Sequence, residues 1–157
     1  MYDKILVAVD GSENSLRAVE AGVRLARGNR DARLVLLTVI PPVYPFFGYG
    51  PLITVQQVQE AVQSAAETVL EKAKEAKEVI DQAAGQAAEI AAEAGVGVES
   101  VVQIGDPAQT IIEYAAREGF EVIVMGRRGV GVLKELILGS VSSKVLQLAP
   151  CPVLLVR

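Results

Sequence analysis

The chain of 157 residues has no histidine, no tryptophan and a single cysteine, and each absence removes a class of chemistry. Without histidine there is no Ser-His-Asp triad and no His-ligated zinc site, and one cysteine allows neither a CxxC pair nor an internal disulfide. Catalysis is left to Asp, Glu, Lys, Arg, Tyr, Ser or backbone groups. Positive charge is also scarce: 15 Lys plus Arg stand against 19 Asp plus Glu, a formal net charge of −4, so the broad positive field of non-specific nucleic-acid binding is missing. Long hydrophobic runs are missing too. The apolar stretch after Lys4 stops at Asp10, too short for a signal-peptide core or a membrane span. The expectation is a cytoplasmic protein with no membrane and no nucleic-acid partner. Cys151, between Pro150 and Pro152, reads as a small apolar residue at a strand start rather than a redox group.

What is present suits one ordinary domain over residues 1–157, with 51% hydrophobic residues for a core. Four runs, Ile5 to Val9, Leu34 to Ile40, Glu121 to Met125 and Pro152 to Val156, are apolar at successive positions. Such strands are covered on both faces, as in a parallel sheet between helix layers. A weaker alternating run from Gly97 to Ile104 reads as an edge strand. Between them, Ser12 is placed to cap a helix running through Arg27, with Ala18, Gly22, Leu25 and Ala26 inward and Gly28-Asn29 as its stop. Asp106-Pro107 opens another, with Ile111, Ile112 and Ala115 inward and Gly119 at its end. The pattern predicts an α/β fold: an open, doubly wound five-stranded parallel sheet with helices on both faces.

The longest periodic segment, about Val55 to Ala94, steps its apolar residues by three or four. A helix of that length is about 60 Å long, whereas strands of five or six residues span ~20 Å. It must overhang the sheet or break, with Gly85 the expected break. An overhang would offer its small-residue stripe either to the sheet or to a partner subunit. Before it, Pro41 to Ile53 holds Tyr44, Phe46, Phe47 and Tyr49 among four prolines and two glycines, and cannot be a regular element. It is either an ordinary loop with its rings tucked onto the domain or a mobile lid beside the second strand.

In doubly wound sheets, ligands sit outside the carboxyl ends of the strands where strand order reverses. After the fourth strand the sequence reads Gly126-Arg127-Arg128-Gly129-Val130-Gly131-Val132, and Gly139-Ser140-Val141-Ser142 follows at the start of the last helix. Glycines let backbone N–H groups close around an anion. Free N–H groups, the helix dipole and the Ser140 and Ser142 hydroxyls converge at the helix N-terminus. This is phosphate-binding equipment, yet neither a Walker loop nor a GxGxxG turn on the first strand.

The spacing Gly126-x2-Gly129-x9-Gly139-Ser140, with the opening Lys4 to Ser12, Gly105-Asp106-Pro107 and the closing Cys151 to Val156, resembles the universal stress protein family across nearly the whole chain. The resemblance implies strand order 3-2-1-4-5 in an adenine nucleotide alpha hydrolase-like fold, a homodimer, and the family's ATP-binding branch. By position, Asp10 would hydrogen-bond the ribose hydroxyls, Ala8 and Val9 would line adenine and ribose, and Val39 would pair with the adenine edge through its backbone. The backbone from Gly126 through Gly129 and Gly131 to Val132, with Gly139, Ser140, Val141 and Ser142, would hold the phosphates of ATP, ADP or AMP. Mg2+ or Mn2+ would be shared with the phosphate oxygens, with no dedicated protein metal site. Family members often carry polar side chains where this chain has Arg128, Val130 and Val132, and Arg127 and Arg128 could pair with the triphosphate instead.

Asp10 has a second reading, as a cap for the first helix. Three functions are compatible with these residues: an ATP-holding stress regulator, a slow ATPase or phosphotransferase working by electrostatic positioning alone, and a nucleotide-free dimeric interaction module. No catalytic residue is assigned. The final strand, within residues 152–157, is the expected dimer edge, because it would otherwise leave a row of backbone groups unpaired.

Overall fold

The successive apolar runs form five strands, β1 (Lys4–Ala8), β2 (Arg33–Ile40), β3 (Gly97–Ile104), β4 (Val122–Gly126) and β5 (Val153–Val156), in a computed structural model that describes residues 1–48, 50, 53–127 and 138–157. They pair in the order β3-β2-β1-β4-β5, all in parallel. Patterning follows position: β1 and β4 are buried almost throughout, while β3, at one edge, alternates.

Helix α1 (Glu13–Ala26) begins where Ser12 accepts a hydrogen bond from the Ser15 N–H, and chain reversal follows at Arg27 and Gly28. It buries Ser15, Ala18, Val19, Gly22, Val23 and Ala26, leaving Leu25 only half-buried. Gly22 is a packing requirement, since a Cβ there would lie 2.6 Å from Val7 Cγ2. Helix α3 (Pro107–Glu118) is capped by Asp106, ends at Gly119 in the left-handed region, and buries Ala108, Ile111, Tyr114 and Ala115. Helix α4 (Ser140–Leu148) follows Gly139.

Helix α2 (Val55–Ala94) is continuous over 40 residues, so the expected break at Gly85 does not occur. Gly85 is solvent-exposed, and a Cβ placed on it would have nothing within 4 Å; in an otherwise strong helical context it lowers helix propensity without interrupting the hydrogen-bond ladder. The helix overhangs the sheet instead. Thr54 and Gln57 form a capping box at the start, and Gly95 closes the end in the left-handed region. Ala76, Ile80, Ala83, Ala87 and Ala91 dock the C-terminal half, where small side chains allow close approach. Before Ala76 only Ala61 is buried, and Val55, Val58, Val62, Val69 and Leu70 are exposed.

Two apolar layers result. Ile5, Val7, Leu34, Leu36 and Val124 meet α1 and α2 on one face, and Leu6, Val35, Leu37, Ile123 and Met125 meet α3 and α4 on the other. Cys151 packs at the edge of the second layer, and burial pushes its thiol pKa up, partly offset by a backbone hydrogen bond at Ile123. The described rings of the Pro-rich loop are not tucked in: Tyr44 is 80% and Phe46 67% exposed. Tyr49 lies outside the described residues. Among the described residues no helix is long and apolar enough to cross a membrane.

Candidate functional site

Strand β1 pairs with β2 on one side and β4 on the other, so the connections leave the sheet in opposite directions beside it. That divergence opens a crevice at the carboxyl edge. A cavity of about 370 Å³ fills it, within the usual range of small-molecule sites.

Its floor is the strand ends: Ala8 at the end of β1 with Val9 and Asp10 after it, Leu37 to Pro41 at the end of β2, and Met125 and Gly126 on β4. The buried Thr38 hydroxyl donates to the Val9 carbonyl at 3.0 Å, stitching the first two together. Gly126 is needed for closeness. A Cβ there would lie 2.8 Å from Asn14 Cβ and 2.9 Å from the Asn14 carbonyl carbon, so any side chain would push α1 away from β4.

Asp10 is exposed at the rim, and its Oδ1 accepts the Ser12 N–H at 2.9 Å. The helix cap itself is Ser12, which accepts the Ser15 N–H, while the Ser15 hydroxyl donates to the Ser12 carbonyl. The capping alternative for Asp10 therefore gives way to a turn that fixes one carboxylate oxygen. Its Oδ2 makes no hydrogen bond among the described residues.

The opposite end is the N-terminus of α4. Its first helical bond runs from the Ser143 N–H to the Gly139 carbonyl, and Gly139 supplies no side-chain cap. The N–H groups of Ser140, Val141 and Ser142 thus have no intrahelical acceptor, and all three residues line the cavity with Gly139. The Ser142 hydroxyl has another task. It donates to the carbonyls of Arg127 at 2.6 Å and Gly139 at 3.1 Å, and the Gly139 N–H also donates to Arg127. These bonds clamp both ends of the segment between Arg127 and Gly139, so Ser142 offers the cavity its N–H rather than its O–H. Arg127 is half-buried and not among the lining residues.

Helix α3 closes one wall with Pro107 and Ile111. Asp106 caps it, accepting the Gln109 N–H at 2.9 Å, with Lys144 of α4 at 3.4 Å from the same oxygen. The Gln109 bond, helped by Lys144, holds the Asp106 carboxyl below its usual pKa. Helix α2 supplies another wall through Lys72, Glu75, Ala76 and Val79.

Of the residues singled out from sequence, Ala8, Val9, Asp10, Val39, Gly126, Gly139, Ser140, Val141 and Ser142 meet around one cavity. Arg128, Gly129, Gly131 and Val132 lie outside the described residues. Pro107, Ile111, Lys72 and Glu75 join the lining without any motif to mark them. Lys72 had a signal: it falls three residues after Val69 and four before Ala76, a charge set into an apolar stripe. Among the described residues no group of three or more Cys, Asp or Glu is gathered as a metal site.

Against known proteins, the Universal stress protein family matches residues 1–157. The universal stress protein YxiE of Bacillus subtilis is 39% identical over 163 residues, covering 100% of both chains. The solved structure of hypothetical protein MJ0577 resembles this fold with a TM-score of 0.76 and 27% identity, over 99% of this chain and 96% of that one. A universal stress protein family member from Arabidopsis thaliana, At3g01520, solved with AMP bound, has a TM-score of 0.59 and 22% identity, over 98% of this chain and 90% of its own. At that identity the likeness is one of fold.

Proposed function

The chain belongs to the universal stress protein family, and on that premise we propose that it is a cytoplasmic, homodimeric regulator that holds ATP, with ADP or AMP as alternative occupants. What supports this above all is one cavity with an acceptor at one end and donors at the other. Asp10 retains a carboxylate oxygen for ribose hydroxyls, and the N–H groups of Ser140, Val141 and Ser142 stand at the positive end of the α4 dipole. Between them Ala8, Val9, Val39 and Ile111 offer apolar surface for a base.

The donor set fits an anion made of oxygen. Gly139 puts no side chain at the mouth of α4, and Gly126 leaves the β4 turn its close approach to α1. The motif Gly126-x2-Gly129-x9-Gly139-Ser140, with Arg127, Arg128, Gly131 and Val132 inside it, would complete the phosphate cradle. Mg2+ or Mn2+ would be held mainly by phosphate oxygens. Backbone donors and a helix terminus stabilise a bound polyanion, but without a group to activate water they give slow hydrolysis at most. The regulator would act by presenting a different surface when filled.

The test is to denature the purified protein, identify any released nucleotide by chromatography, and titrate the emptied protein with ATP and Mg2+ by calorimetry. An adenine nucleotide released, or ATP bound with Kd in the micromolar range or tighter, is expected; neither would leave the nucleotide-free interaction module. Gly139→Val should abolish ATP binding while the far-UV circular dichroism stays unchanged, because a β-branched side chain would enter the phosphate end of the cavity.

A further inference from the structure

Among the described residues that line the cavity, Asp10, Lys72 and Glu75 carry formal charge, and Lys72 is the one cation. Two carboxylates repel a polyanion, and among the described lining residues this ammonium is what offsets them. Lys72 is half-buried and makes no ion pair or hydrogen bond among the described residues, although Lys77 pairs with Asp81 and Lys144 with Asp106.

Helix geometry explains how it reaches the site. Lys72, Glu75, Ala76 and Val79 follow one another at helical spacing on one face of α2. Val79 sets the register: a Cβ on Gly11, whose φ is +84°, would lie 2.9 Å from Val79 Cγ2, so α2 is seated against the turn that carries Asp10. Lys72 lies two turns back toward the helix start, about 10 Å further along the axis, where α2 has left the carboxyl edge of the sheet. It belongs to the part of α2 that precedes the docked residues, and it lines the cavity.

We propose that Lys72 is the counter-charge for the phosphate chain of the bound nucleotide, and that the overhang of α2 thereby selects ligands carrying more phosphate. The inference rests on the nucleotide reading above and adds the element and residue that discriminate within it. The α4 terminus provides dipoles and N–H donors; an ammonium on a flexible four-carbon stem adds a full positive charge, beside those of Arg127 and Arg128 in the motif, that a triphosphate uses and a nucleoside does not. Glu75, one turn away, lowers the local potential and opposes it.

Calorimetry of the full chain with ATP, AMP and adenosine separates the contributions. Lys72→Ala, which keeps the helix because alanine is its best former, should weaken ATP by about tenfold, weaken AMP less, and leave adenosine unchanged. Lys72→Arg should restore ATP, and Glu75→Gln should tighten it. An ATP affinity unchanged in Lys72→Ala, or an equal loss for ATP and adenosine, overturns the inference while the nucleotide reading stands. A wild-type chain that binds none of the three removes both.

Discussion

Ser142 shows how a single side chain can hold a site without touching what occupies it. Ser142 is 2% exposed, and its one hydroxyl proton is shared between the carbonyls of Arg127 and Gly139. Both carbonyls keep a backbone partner when it is removed, from the Gly139 and Ser143 N–H groups. Ser142→Ala should therefore cost about 1 kcal/mol in urea unfolding, the net worth of one hydrogen bond rather than of an orphaned buried acceptor. Because its N–H survives, ATP affinity should fall by much less than in Gly139→Val. Asp106 carries a pH dependence of known sign. Its folded pKa is lowered, chiefly by the Gln109 N–H, so its contribution to stability is present above the ordinary Asp pKa of about 3.9 and is lost as pH falls through the folded value. Asparagine still caps but does not titrate. Asp106→Asn should consequently lose less stability than wild type between about pH 6 and pH 3, measured by urea midpoints at each pH; equal losses would show that the carboxyl gains nothing from its fold.

Helix α2 is where local and global information part company. Periodicity alone gives its extent, Val55 to Ala94, because apolar steps of three and four persist throughout. Which of those residues dock is another matter: Ile80, Ala83, Ala87 and Ala91 meet the sheet layer, and Val55, Val58, Val62 and Val69 do not. The difference is set by the length of the strands beneath, which the stripe does not encode. The same reason hid half of the cavity wall. The turn after β1 and Gly126 at the end of β4 are legible because a carboxylate and a glycine stand at the ends of apolar strands, whereas Lys72 and Ile111 join the site only through how α2 and α3 lie across the sheet edge. Two measurements follow. Backbone amides of 58–70 should exchange with deuterium faster than those of 80–91, since opening the overhang exposes little buried apolar surface. Gly85→Ala should raise stability by about 0.5–1 kcal/mol, because the glycine is exposed, helical and free of neighbours; a loss would mean that the helix needs its flexibility.

At the scale of the whole molecule the sheet has two edges of different character. Strand β3 at one edge pairs Glu99 with Arg33, at 3.0 Å, and exposes Glu99 and Ser100 together with Val102 and Ile104, so a copy of itself brought alongside would meet this charged pair. Strand β5 at the other is Val-Leu-Leu-Val, with no charge and no proline inside it. The Ile123 N–H donates to the Pro152 carbonyl and the Arg127 N–H to the Val156 carbonyl, so in a parallel ladder residues 152, 154 and 156 turn their backbone groups to β4. Val153 and Leu155 then turn theirs to the free edge. Leu146, Leu148 and Leu154 are exposed, at 47%, 57% and 39%, on β5 and on the helix packed beside it. Antiparallel pairing of two β5 strands about a two-fold axis would satisfy the outward groups and cover apolar surface, which is the proposed dimer. Leu154→Lys tests it without disturbing the sheet, because the backbone of residue 154 already faces β4 and its side chain is exposed. In a strand of 4 residues the introduced ammonium stays close to its symmetry mate, where like charges across an antiparallel pair destabilise. Sedimentation at micromolar concentration should show a dimer for wild type and a monomer for Leu154→Lys, with both giving the same far-UV circular dichroism; a wild-type monomer would leave β5 as an unpaired edge and remove the dimer from the proposed function.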